Sequence, residues 1–157
     1  MDQHEKYIRE AVEIAAKNAG SGKGGPFGAL VVRDGTVIGR GVNCVTGSND
    51  PTAHAEVMAI RDACKNTASF KLEGASIYAS CEPCPMCLSA IYWARISTVY
   101  FAADNEDASK AGFDDSFIYK EVRLPREQRS IPIKRIETDS ASKPFDTWTS
   151  MTDRVDY

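Results

Sequence analysis

The chain opens on a helical period. Tyr7, Ile8, Ala11, Val12, Ala15 and Ala16 recur at helix spacing across residues 5–19, and Gly20 offers a C-terminal stop. Ser21-Gly22-Lys23-Gly24-Gly25-Pro26 reads as loop by composition. The apolar run 27–32 predicts a buried strand, Asp34-Gly35 a hairpin turn, and 37–42 an antiparallel return. A polar connection over 43–50 leads to a second helix, with Asp50 and Pro51 as its predicted cap and opening, running to about Lys65. Residues 75–80 predict a third strand, 85–94 a third helix, 98–103 a fourth strand and 104–110 a short helix. The stretch 111–119 has no clear period; 131–136 predicts a fifth strand, 144–152 a last helix and 153–157 a tail. Strands alternating with helices imply crossovers, hence an α/β fold with a partly parallel sheet covered on both faces. No internal repeat or low-complexity segment interrupts the pattern.

Composition narrows the class. A chain of 157 residues, 43% hydrophobic and 26% charged, has the size and usage of one globular domain with a single core. No segment approaches the run of about 20 apolar residues that a membrane span needs, so no membrane partner is expected. The polar start, Met-Asp-Gln-His-Glu-Lys, lacks the apolar region of a secretory signal, which makes a cytoplasmic location the expectation. The net charge of -3 lacks the basic excess that phosphate contacts demand, so a small neutral substrate is expected and nucleic acid is not. Five cysteines, an odd number, argue against a disulfide framework.

The chemistry concentrates in two stretches. Three of the five cysteines fall in Cys81-Glu82-Pro83-Cys84-Pro85-Met86-Cys87, and one of only two histidines falls in Thr52-Ala53-His54-Ala55-Glu56. A His-x-Glu joined to a Pro-Cys-x-x-Cys is the signature of zinc deaminases of nucleobases. Zinc takes imidazole and thiolate ligands, and a catalytic site keeps three protein ligands and leaves its fourth position to water. His54, Cys84 and Cys87 are the candidate ligands. Cys84 and Cys87, three apart at a helix start, face the same way. Glu56, the candidate proton carrier, can share a site with His54 only if His54 precedes the regular helix. Two helix N-termini aimed at the site favour thiolate over thiol and partly restore the pull on water that two thiolates blunt. The alternative is a closed structural site with Cys81 as fourth ligand and Glu56 as an ordinary solvated carboxylate. Cys44 and Cys64 read as small buried hydrophobes.

On these residues the chain resembles the cytidine deaminase superfamily over nearly its whole length, and within it the short zinc-dependent guanine deaminases of bacteria. Gly24-Gly25-Pro26-Phe27-Gly28-Ala29, Asn49-Asp50-Pro51-Thr52-Ala53-His54-Ala55-Glu56 and the cysteine run are shared with the wider purine-acting branch, including tRNA adenosine deaminases. The likeness to guanine deaminase rests on Ala111-Gly112-Phe113-Asp114-Asp115-Ser116-Phe117-Ile118-Tyr119 and on a chain ending in tyrosine. The resemblance implies a three-layer α/β/α fold with a five-stranded mixed sheet, one Zn²⁺ per subunit, and a homodimer whose C-terminal segment, from about residue 112, is exchanged between subunits. It implies hydrolysis of guanine to xanthine and ammonia, with Glu56 as general acid and base.

The candidate substrate contacts are Phe27, Asn43, Ala55, Trp93, Asp115 and Tyr157, of which the resemblance favours Asn43, Asp115 and Tyr157. Asn43 has an amide able to donate and accept, suited to a purine carbonyl beside a ring nitrogen; its alternative role is a loop cap. Phe27 would stack on the base or pack in the core, and Trp93 would line the pocket or pack. Asp114 and Asp115 point to opposite sides of an extended chain, so only one can accept from the base, and the resemblance selects Asp115. Tyr157 would bring a phenol or its terminal carboxylate. The rival readings are deamination of guanosine, cytosine or another aminated heterocycle, deamination of tRNA adenosine, and a non-catalytic zinc-folded module.

Overall fold

The computed structural model describes residues 2–157. Its first helix, α1 (Gln3–Ser21), starts on the Asp2 side chain and buries the stripe Tyr7, Ala11, Ala15 and Asn18. The hairpin follows as β1 (Gly28–Arg33) and β2 (Thr36–Val42), turned at Asp34 and Gly35, which both take positive φ. That pair of φ values matches the right-handed twist of the flanking strands. Then come a single turn, α2 (Val45–Ser48), the long helix α3 (Ala55–Thr67), β3 (Ser76–Cys81), α4 (Pro85–Trp93), β4 (Thr98–Ala103) and α5 (Asn105–Lys110). The sheet order is β2-β1-β3-β4. β1 is antiparallel to both β2 and β3, whereas β3 and β4 are parallel and joined by the α4 crossover.

Side-chain alternation along β1 and β3 divides the core into two faces. Leu30, Val32 and Tyr78 meet Tyr7 and Ala11 of α1. Ala29, Val31 and Ile77 meet Ala55, Ala59 and Ala63 of α3 and Ile91 of α4. These three layers agree with the expected α/β/α arrangement. The second helix begins four residues later than the Asp50-Pro51 signal suggested. The Asp50 carboxylate instead accepts from the main chain and hydroxyl of Thr52, closing a local turn, and His54 becomes the residue on which α3 starts.

α3 lies so close on β2 that there is no room for a side chain at Gly39 or Gly41. A Cβ on Gly41 would land on the Ala55 carbonyl and the Ala59 nitrogen, and one on Gly39 would stand 2.5 Å from the Ala59 carbonyl. With only alanine methyls on the facing side of α3, main chain meets main chain, and this fixes where the start of α3 sits over the sheet.

The chain divides into two units, the first ending at Phe117 and the second spanning Ile118 to Tyr157; the boundary falls within α6 (Ser116–Arg123). The second unit continues through a 3₁₀ turn (Arg126–Gln128) to α7 (Lys143–Ser150). Its 124–130 turn is pinned by Arg129, which donates to the Leu124 carbonyl at 3.1 Å, and by the Ser130 amide donating to Glu121 at 2.7 Å. The expected fifth strand is absent among the described residues, and the sheet has four strands. Ile131, Ile133 and Ile136 lie in an irregular stretch and are exposed. An extended segment becomes a strand only when a neighbour accepts and donates its main-chain hydrogen bonds; this unit holds no other strand, and Pro132 has no N–H to give.

Adding one methyl at the α3–β2 contact should be costly. Gly41→Ala is expected to lower unfolding free energy by about 1–3 kcal/mol or more, through overpacking against main chain that cannot rotate away. Gly20→Ala, in the last turn of α1 with nothing within 4 Å of the new methyl, should be neutral or stabilising by up to about 1 kcal/mol. Urea denaturation of the two variants tests the contrast.

Candidate metal centre and active site

Two helices present their N-termini to one point. His54 is the N-cap of α3 and Cys84 the N-cap of α4, both with extended backbone and with no side-chain cap. Pro85 occupies the first turn of α4, where its missing N–H costs nothing. The extended backbone at His54 lets the imidazole and the Glu56 carboxylate, two residues on, turn to the same side. Cys87, one turn into α4, is buried beneath them.

His54 Nδ1 stands 3.6 Å from Cys84 Sγ and 3.5 Å from Cys87 Sγ, and the three ligand atoms lie within 4.8 Å of one another. A tetrahedral zinc with Zn–N of about 2.0–2.1 Å and Zn–S of about 2.3 Å would separate N from S by about 3.5–3.6 Å. The donor set and its spacing therefore fit zinc. Cys81 is not in this group: its thiol donates to the Asp104 carbonyl at 3.6 Å, and burial pushes it up to about 11. A fourth thiolate from Cys81 is thus not what the structure places at the centre, and the closed Cys₃His alternative loses its ligand.

The electrostatics separate the two sulfurs. The neighbouring Cys87 thiol and the His54 ring hold Cys84 down to about 4, whereas its contact with Cys84 and its burial push Cys87 up. Cys84 likewise holds His54 above the ordinary imidazole range. The Glu56 carboxylate is buried beside the cluster, with Oε2 accepting from Cys87 Sγ at 3.4 Å, and burial raises it above the usual carboxylate range. A carboxyl made less acidic by burial beside the metal ligands is suited to taking up and returning a proton, as a general acid and base must.

Asp115 approaches the same cluster. Burial and then the Cys84 charge raise it. Its Oδ1 is the one buried side-chain N or O without a hydrogen-bond partner among the described residues. Asp114 is otherwise engaged, accepting from the Ser116 amide at 2.9 Å. Phe27 sets its ring edge-on to Phe113, with centroids 4.9 Å apart, which links the loop before β1 to the segment carrying Asp115. Ala55, the first residue of α3, is buried between His54 and Glu56 in sequence.

Asn43, at the end of β2, is buried, and its Oδ1 accepts from the main-chain amides of Gly25 at 3.0 Å and Val45 at 3.2 Å. The expectation of an amide that both donates and accepts is therefore narrowed: the oxygen is spent, and Nδ2 is the end left for a ligand. Trp93 ends α4, about 9 Å of helix rise beyond Cys87, and is 64% exposed. Tyr157 belongs to the C-terminal unit, where it packs edge-on to Trp148 at 6.4 Å. Sequence reasoning missed Asn18 and Phe113. Asn18 had a signal, being a polar residue that continues the buried Tyr7-Ala11-Ala15 stripe of α1.

The raised carboxyl of Glu56 sets a pH dependence in chelator-treated protein. The folded chain holds this proton more tightly than the unfolded chain. The resulting stability is complete below the unfolded value of about 4.3 and is lost as pH rises through the higher folded value. Glu56→Gln cannot ionise, so its stability relative to wild type should improve as pH rises from about 4.3 through the higher folded value and stay level above it. Denaturant titrations across that range that show a constant difference would refute the assignment.

Comparison with known proteins agrees with this chemistry. Residues 1–103 match the model of the cytidine and deoxycytidylate deaminase zinc-binding region. The chain is 51% identical over 154 residues to guanine deaminase of Bacillus subtilis, covering 98% of this chain and 99% of that one. The X-ray structure of guanine deaminase from Bacillus subtilis superposes with a TM-score of 0.96 at 50% identity, over 100% of this chain and 99% of that one. A tRNA-specific adenosine deaminase of Bacillus subtilis is 40% identical over 103 residues, covering 66% of this chain and 63% of that protein. The chain belongs to the zinc-binding cytidine and deoxycytidylate deaminase family.

Proposed function

We propose that this protein is a hydrolase that converts guanine and water to xanthine and ammonia. The observation that carries the reading is the likeness to a guanine deaminase over 98% of the chain, against 50% to 73% for the tRNA-acting relatives. The unpartnered Asp115 oxygen beside the ligand cluster supports it further. Guanine offers N–H donors on its Watson–Crick edge, which a carboxylate can accept, whereas adenine's ring nitrogen there is itself an acceptor. Asn43 Nδ2 donates to the base carbonyl, Phe27 stacks on the ring, and Ala55 and Trp93 complete the contacts.

Held by His54, Cys84 and Cys87, a zinc ion supplies a water acidified to near neutral pH and a Lewis acid. Glu56 takes a proton from the attacking water and delivers it to the ring nitrogen next to the amine-bearing carbon. It then takes the remaining hydroxyl proton from the attacked carbon and passes it to the amine, so that the C–N bond breaks, ammonia leaves and the oxygen becomes the new carbonyl of xanthine. Asp115 holds the base edge so that this carbon meets the water, and the burial of Glu56 keeps bulk solvent from short-circuiting the transfer. Purine breakdown or salvage in the cytoplasm is the setting in which such a reaction has its substrate.

The active unit in this reading is a homodimer built from the single deaminase domain, with the C-terminal segment exchanged and Tyr157 contributed to the site. The support is physical. No residue from 118 to 157 is buried, and Ile131, Ile136, Phe145 and Tyr157 are each more than 70% exposed. Apolar side chains in that number call for a covering surface.

Glu56→Ala should retain zinc and fold while losing at least about 10²–10⁴-fold in turnover. Ammonia release measured on guanine, guanosine, cytosine and a tRNA anticodon stem-loop should appear on guanine; turnover of the stem-loop in preference to the free base would overturn the substrate reading. Removal of Tyr157 should depress turnover on guanine, and the full chain should sediment as a dimer. A fully active monomer would contradict the exchange.

A further inference from the structure

Asn18 is the polar member of the buried face of α1, 9% exposed, and the reaction just described gives it no role. Its Nδ2 donates to the Gly25 carbonyl at 2.8 Å and to the Asn43 carbonyl at 2.8 Å. Both neighbours can only accept, so the amide nitrogen must face them, and its two hydrogens are both used. Gly25 is then held at both of its main-chain polar groups: its carbonyl by Asn18 and by the Phe27 amide at 2.9 Å, and its N–H by donating to Asn43 Oδ1 at 3.0 Å. The three residues close a ring: Asn18 to the Gly25 carbonyl, the Gly25 amide to the Asn43 side chain, and the Asn43 main chain back to Asn18. Gly24 makes the ring compact, since a Cβ there would collide with the Asn43 carbonyl.

The ring decides which end of the Asn43 amide is presented. With the Gly25 and Val45 amides fixed as donors, Oδ1 is forced toward them and Nδ2 away. If Gly25 were free to change its φ and ψ, its N–H would swing away and Asn43 would lose one of the two bonds that set its orientation. An amide that could turn over would offer an acceptor where a carbonyl-bearing base needs a donor.

We propose that Asn18 is a positioning residue for base recognition: by clamping the main chains of Gly25 and Asn43, it locks the Asn43 carboxamide with Nδ2 outward, so that the site selects a purine carrying a carbonyl. This rests on the reading that Asn43 faces the base. Asn18→Asp is the informative variant, because it keeps the shape and replaces two donors with a carboxylate that repels both carbonyls.

The test is competitive inhibition of guanine deamination by two unreactive purines in zinc-loaded full chain. Hypoxanthine carries the carbonyl and purine lacks it. Wild type is expected to bind hypoxanthine about tenfold or more tighter than purine, the worth of one well-placed hydrogen bond. Asn18→Asp and Asn43→Ala should each collapse that ratio toward one, and the double variant should be no worse than Asn43→Ala alone, as expected for residues acting as a unit. Should Asn18→Asp fail to fold, Asn18→Ser, with one donor on a smaller side chain, is expected to lower the ratio by a lesser amount. An unchanged ratio with weaker binding of both purines, or additive losses in the double variant, would mean that Asn18 only stabilises the fold and would overturn the proposal. A ratio that Asn43→Ala leaves intact would instead remove the base-facing reading of Asn43, and this inference with it.

Discussion

Where α3 crosses β2, two glycines meet three alanines and main chain rests on main chain. The contact leaves no long side chain to take up slack, so the start of α3 has one position over the sheet. His54, Ala55 and Glu56 occupy that start. The β3–α4–β4 crossover brings Cys84 and Cys87 to the same place from the neighbouring strand. A three-ligand metal centre tolerates errors of only a few tenths of an ångström in ligand position. Here close packing of backbone holds the start of α3 at the place where the N···S spacings are 3.5 and 3.6 Å.

The charge pattern follows from the same placement. The Cys87 thiol and the His54 ring hold Cys84 down to about 4, while burial pushes Cys81, three residues upstream, up to about 11. Sequence proximity does not distinguish these cysteines. What distinguishes them is that Cys84 starts a helix and has a thiol and an imidazole for neighbours, whereas Cys81 ends a strand and donates a hydrogen bond to a carbonyl.

Much of the first unit was legible in the chain because its signals are local. Period and punctuation located α1, the hairpin, β3, α4 and β4 to within two residues, and the His-x-Glu and Cys-x-x-Cys spacings located the cluster. The start of α3 was displaced because Asp50 looks the same whether it caps a helix or a turn; only the bonds to Thr52 tell them apart. Ile131 to Ile136 failed for a different reason: strand character is a property of a pair, and a single sequence does not reveal its partner. The α6 helix was hidden because only its first four residues fall in the 111–119 stretch, too few to show a helical period. Asn18 and Gly25 could not be connected at all, since the bond between them depends on how α1 and the glycine loop meet in three dimensions.

The Gly41 contact also divides the site mechanically. Interlocked peptide groups transmit force but do not store it in rotamers, so the metal-bearing wall behaves as an anvil. Compliance is left to the parts joined by side chains alone: the Phe27–Phe113 edge contact and the segment leading to Asp115. Drift among descendants of this chain toward bases of another shape would accordingly begin in the aromatic wall, with the metal wall left untouched.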